Sequence, residues 1–239
     1  MVSDRKKLFG ILFITALCFF LYTYILPKIV FKYNFYYKNF IFHSTEPIED
    51  SIKYVLSNSQ KNLKQFDFNL SGFTQDIYLC NNKILFTIYA FGSFNAFAVN
   101  NNITNNIFIA DASINTNTAY RQNNGKVYHR KLSEIIAHET THTLVQKKTG
   151  LIRSTFLPAW INEGTCEVVA KGVNDNDSLL RANFLQTSFF DKNSEKYAWY
   201  YMCVNFLMVH KGYTVDSVLV CRSDFDSIKA ETKEFYKIK

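Results

Sequence analysis

The run His138-Glu139-Thr140-Thr141-His142 places two imidazoles and a carboxylate within five residues. Four residues of α-helix turn through about 400°, so both histidines lie on one face, roughly 6 Å apart along the axis. That arrangement lets two ring nitrogens reach one zinc ion at about 2.0–2.1 Å. Glu139 falls beside them, where a carboxylate can act on a metal-bound water. A third ligand follows after twenty intervening residues, Glu163 in Trp160-Ile161-Asn162-Glu163-Gly164. Two histidines and a glutamate leave a fourth position open for water, the pattern of a catalytic rather than a structural zinc.

These residues need helices that fold back on one another. The sequence predicts helices over 132–149, closed by Gly150, and over 158–171, closed by Gly172. Two more are expected over 176–190 and 195–210, the last closed by Gly212. Upstream, Ser44-Thr45-Glu46-Pro47 reads as the start of a helix reaching about Gln65. Short runs at 76–80, 84–90, 94–99 and 107–110, rich in Ile, Phe, Tyr and Val and separated by Asn pairs and Gly, read as a small antiparallel sheet. Strands first and helices second give an α+β class.

Leu8 to Leu26 carries no charge and, at 1.5 Å per residue, spans about 28 Å of a hydrocarbon layer roughly 30 Å thick. A transmembrane anchor is therefore expected, with a cleaved signal peptide as the alternative. The expected organisation is a short cytoplasmic tail over 1–7, the anchor over 8–26, an aromatic juxtamembrane linker over 27–45 and a catalytic domain over 46–239. The linker's aromatics and lysines suit the headgroup layer, and an aromatic strand packed on the domain is the competing expectation. Basic residues flank the run on both sides, so the extracytoplasmic placement of the domain rests on compactness more than on charge.

Hydrophobic residues at 48% and charged residues at 20% exclude a disordered chain. The net charge is 27 − 20 = +7, but beyond Arg5-Lys6-Lys7 the basic residues do not cluster, so no nucleic-acid partner is expected. His43, His129 and His210 read as surface residues. Cys166 is set aside as a ligand because His₂Glu is already complete, and the pairing of Cys80, Cys166, Cys203 and Cys221 stays open.

The HExxH run with its W-x-N-E-G block resembles the gluzincin metallopeptidases, the thermolysin-like and aminopeptidase-like group. In that group the ligand glutamate usually stands eighteen or nineteen residues on, so the spacing here departs slightly, and loop length is a tolerant variable. The resemblance implies a zincin-type helical half and a peptide or protein substrate. It further implies that Glu167 fixes a ligand histidine from behind and that Tyr197, opening the Tyr197-Ala198-Trp199-Tyr200-Tyr201 helix, donates to the oxyanion. Asn95, Ala96 and Phe97 resemble the Asn-Ala-Phe hairpin of the prenyl-protease type, which implies a sheet edge that pairs with substrate backbone. No Gly-x-Met-x-Asn strand for an α-amine is present, which favours an endopeptidase over an aminopeptidase. A non-catalytic binding protein on the same scaffold is the rival of a different class.

Overall fold

Which backbone pairs with which decides where the site elements sit. A computed structural model describes residues 11–238 apart from 12, 16, 91, 92, 94, 124 and 189–191, so the expected tail over 1–7 and the first residues of the anchor lie outside the described residues. The chain divides into two compact units, the first made of Met1–Lys53 and Thr74–His129 and the second of Tyr54–Phe73 and Arg130–Lys239.

In the first unit an apolar helix continues through a π-helical turn, Leu21–Ile25, into α1, Leu26–Val30. One helix near the N-terminus, Phe13–Val30, is long and apolar enough to cross a membrane, a property that signal sequences and soluble core helices share. The chain then forms β1, Tyr33–Tyr37, and β2, Phe40–Ser44, an antiparallel pair turning at Lys38, whose φ is +51°. Residues 33–44, expected as part of a linker, are thus the strand pair of the competing expectation. Ser44 is paired with Leu79 in the sheet and cannot cap a helix, so α2 begins later than expected, at Ile52–Lys64.

The sheet is completed by β3, Gln75–Leu79, β4, Ala98–Asn100, and β5, Ile107–Ile109, in the order β1-β2-β3-β5-β4. It is mixed rather than antiparallel. β2, β3 and β5 run parallel and are largely buried, although only β5 is apolar throughout, since β2 carries His43 and Ser44 and β3 carries Gln75 and Asp76. The expected strand over 84–90 is instead a helix, α3, Lys83–Tyr89. Asn82 decides this, its side-chain oxygen accepting from the Ile84 and Leu85 amides, while Phe86 and Tyr89 enter a core with Phe31, Tyr78 and Phe108. Tyr89 stacks on Phe108 at 4.6 Å between ring centroids. His43, expected at the surface, is buried between Asn34 Oδ1 at 2.6 Å and Asp76 Oδ1 at 2.7 Å. A second sheet, β6 Asp111–Ser113, β7 Thr118–Asn123 and β8 Lys126–Lys131, was not expected from the sequence.

The second unit is helical: α4, Leu132–Thr149; α5, Leu151–Thr155; α6, Ala159–Lys171; α7, Asp177–Ser188; α8, Lys192–His210; α9, Val215–Leu219; and α10, Phe225–Phe235. α4 is buried nearly all round, so its sequence lacks the polar stripe of a surface helix. It ends where expected, at Gly150 with φ +86°, and α6 ends at Gly172 with φ +84°. α2 braces both through Ser59 Oγ, which donates to the Ser133 carbonyl at 2.9 Å, and Asn62 Nδ2, which donates to the Ala170 carbonyl at 2.6 Å.

α6 and α8 meet at Gly164. A Cβ there would stand 2.6 Å from the Tyr200 carbonyl oxygen and 2.6 Å from a Val204 methyl. Alanine would gain up to about 1 kcal/mol of helix propensity, but a backbone carbonyl cannot move aside as a side chain can. Gly164→Ala is expected to destabilise by about 1–3 kcal/mol. Comparing denaturant midpoints at unchanged slope checks this, and an equal or higher midpoint would show that the contact is not rigid.

Candidate metal centre

α4 carries His138 and His142 on one face, their ring centroids 5.1 Å apart. α6 packs against it and brings up Glu163. Glu163 Oε2 stands 3.3 Å from His138 Nε2 and 3.7 Å from His142 Nε2, so the three expected ligands converge on one point through their Nε2 and carboxylate atoms. Glu139 is half-buried in the same helix turn, and its charge acts on His138, Arg130, Cys166 and Tyr197.

Each histidine is also held from behind. Glu167 Oε1 lies 3.0 Å from His138 Nδ1, oblique to the ring N–H, so the contact is electrostatic and lacks full hydrogen-bond alignment. On His142, Nδ1 lies 3.4 Å from Asn162 Oδ1 and 3.3 Å from Cys166 Sγ. Glu167 is 1% exposed. Its charge is carried by two cations: Arg130 binds both carboxylate oxygens, Nη1 to Oε1 at 2.8 Å and Nη2 to Oε2 at 3.3 Å, and Lys171 Nζ binds Oε2 at 2.8 Å. Lys171, at i+4 from Glu167 on α6, was legible in the sequence and overlooked; Arg130, just ahead of α4, gave no local signal.

The protonation states follow from these contacts. Burial disfavours ionised Glu167, but Arg130 and Lys171 outweigh it and hold the carboxyl well below the usual range. Glu163 is likewise lowered: burial opposes its charge, and its contact with His138 and the charge of His142 prevail. Burial disfavours charged His138, yet its contacts with Glu163 and Glu167 raise its pKa from 6.5 to about 9. Burial, then the charges of Glu163, Glu139 and Glu167, push the Cys166 thiol well above its ordinary value, so it stays protonated.

His138, His142 and Cys166 form a group, each offering a ligand atom within 4.8 Å of the others, that could hold a metal ion. The sequence reading set Cys166 aside, and it is part of this group. Two donor sets therefore compete. Cys166 approaches His142 on Nδ1, away from the point where both Nε2 atoms face Glu163, and it is a neutral thiol in a field of three carboxylates. The Nε2, Nε2 and carboxylate set offers ionised oxygen and the better-converging nitrogens. These donors suit a divalent metal of the borderline class.

Tyr197 stands on α8 one turn before Tyr200, whose carbonyl meets Gly164 beside Glu163. It is 39% exposed, and burial followed by the charges of Glu163, Glu139 and Glu167 raises its phenol, which keeps its proton. Asn95, Ala96 and Phe97 belong to the first unit, immediately ahead of the edge strand β4, with the Phe97 carbonyl accepting from Ala110 N at 2.9 Å. Comparison of the chain with protein-family models and with curated protein sequences gives no match.

Two outcomes are expected. Below pH 9 a metal must displace the proton on His138, so affinity for a divalent ion should rise about tenfold per pH unit up to about pH 9 and then level. In the metal-free chain the raised pKa contributes stability that is complete below 6.5 and lost as pH rises through about 9. Proton release during cobalt(II) titration checks the first part. Arg130→Gln, which leaves Glu167 with Lys171 alone, should weaken cobalt(II) binding by about 10–100-fold. Chelator competition reads that loss directly, and affinity equal to wild type would remove Arg130 from the metal's support.

Proposed function

We propose that the chain is a membrane-tethered, zinc-dependent peptidase in which His138, His142 and Glu163 hold the metal. The convergence of both Nε2 atoms on Glu163 Oε2 carries this reading. The resemblance of His138–His142 and Trp160–Gly164 to the gluzincins supports it, as does Glu167 standing behind His138, the role that the resemblance implies for it.

Bound there, zinc supplies Lewis acidity, lowering the pKa of a water from about 15.7 toward about 7 and polarising a carbonyl. Glu139 accepts the proton of the attacking water and returns it to the leaving nitrogen. Tyr197, protonated across the working range, donates to the oxyanion of the tetrahedral intermediate. Arg130 and Lys171 keep Glu167 ionised, and Glu167 keeps His138 turned with Nε2 toward the metal. The missing α-amine site favours internal peptide bonds as substrate, the apolar N-terminal helix favours a single-pass anchor, and the compact run Arg5-Lys6-Lys7 ahead of it favours an extracytoplasmic domain.

Glu139→Gln should retain zinc and lose about 10²–10⁴ in rate on casein or a peptide library. Tyr197→Phe should lose roughly 10²–10³ in kcat with KM little changed. Full cleavage by Glu139→Gln would remove the general base. A zinc-loaded wild type that cuts nothing yet captures a partner as firmly as Glu139→Gln does would identify a binding protein instead.

A further inference from the structure

The first unit is tied to its apolar helix along more than a point of attachment. Thr23 and Pro27 are buried, one turn apart, while Ile25 and Ile29 on the other side are exposed. Asn106 Nδ2 donates to the Thr23 carbonyl at 3.1 Å. The Tyr22 hydroxyl donates to the Ile88 carbonyl, and the Tyr22 ring stacks on Tyr89 at 5.7 Å. Ile88 and Tyr89 end α3. The depth of Tyr22 in a membrane therefore sets the depth of α3.

That depth follows from the charge pattern. The uncharged run ends at Leu26 and the next charge is Lys28. Tyr22 lies four residues inside the end, about 6 Å at 1.5 Å per residue. An interfacial helix buries its apolar face about 5–10 Å into the headgroup and acyl boundary. α3 has such a face: Ile84 and Ile88, at i and i+4, are 72% and 41% exposed. Between Asp76 and Asp111 the chain carries one charge, Lys83 at the start of α3. Around the helix end Lys28 lies 4.5 Å from the Tyr24 ring centroid and Lys32 5.4 Å from that of Tyr33, pairs whose amphipathic rings and positive heads suit anionic headgroups.

We propose that α3 is a second membrane-contacting element, lying in the lipid interface beside the apolar helix with Ile84 and Ile88 among the upper acyl chains and Lys28, Lys32 and Lys83 at the headgroups. The bilayer is thus a surface on which the first unit is seated, as well as the place where its anchor ends. This rests on the membrane-tether reading above. A tether alone would allow the unit to stand clear in water, and the Tyr22 latch on Ile88 and Tyr89 opposes that.

The test uses the full chain in vesicles of phosphatidylcholine with one-fifth phosphatidylglycerol. Ile84→Trp and Ile88→Trp, at exposed positions that tolerate the larger ring, are made separately. Wild type, with Trp160 and Trp199 both buried, gives the background. Lipid brominated near the upper acyl carbons should quench the added emission at least about twofold at both positions and leave wild type unchanged. Added emission unaffected by bromination in both variants, with the chain still in the pellet after alkaline carbonate extraction, would overturn the interfacial seat while leaving the tether intact. Release of the chain by carbonate would overturn the tether, and the seat with it.

Discussion

The second unit is organised around a carboxylate that cannot reach water. Glu167 is 1% exposed, and an isolated charge at that depth would neutralise itself by taking a proton. It stays ionised because Arg130 and Lys171 both bind it, which fixes the start of α4 and the end of α6 relative to each other. The same carboxylate also faces His138, with Oε1 3.0 Å from Nδ1. Burial opposes a proton on His138, and its contacts with Glu163 and Glu167 outweigh that opposition. A divalent ion at this site would therefore bind in competition with that proton.

Close packing supplies the second constraint. α8 reaches the site because Gly164 lets the Tyr200 carbonyl approach the backbone beside Glu163. A residue with a side chain at 164 would hold α8, and Tyr197 with it, away from Glu163. Burial, and after it the charges of Glu163, Glu139 and Glu167, raise the Tyr197 phenol further above its ordinary value.

Much of this was legible where one short stretch of chain decides the outcome. α4 and α6 begin and end within a residue of expectation because Gly150 and Gly172 take positive φ and stop them, and because the ligand spacing requires helix. Glu167 stands behind His138, where the resemblance implied it, four residues after Glu163 on α6. Legibility failed where distant chain decides. Ile84 to Tyr89 is β-branched and aromatic and reads as a strand, but the Asn82 cap and the fit of Phe86 and Tyr89 beneath Phe31 and Phe108 make it helical. The parallel pairing of β2, β3 and β5 leaves no local mark, since strand direction depends on crossovers. Arg130 was invisible for the same reason: its partner is thirty-seven residues away.

The connection between α4 and α6 shows which contacts hold His138, His142 and Glu163 together. After α4 stops at Gly150, the chain makes a single turn of helix, α5, and restarts after Pro158, whose carbonyl accepts from the Ile161 and Asn162 amides as α6 begins. Leu151, Ile152 and Phe156 are exposed, so this stretch lies on the surface and fills no space between the helices. An added residue there costs little loop entropy, since even doubling a loop adds only about 0.6 kcal/mol. The placing of α4 against α6 rests instead on contacts outside the loop: α2 holding the Ser133 and Ala170 carbonyls, and Arg130 holding Glu167. Spacing between the motifs is free to drift because it is not what positions them.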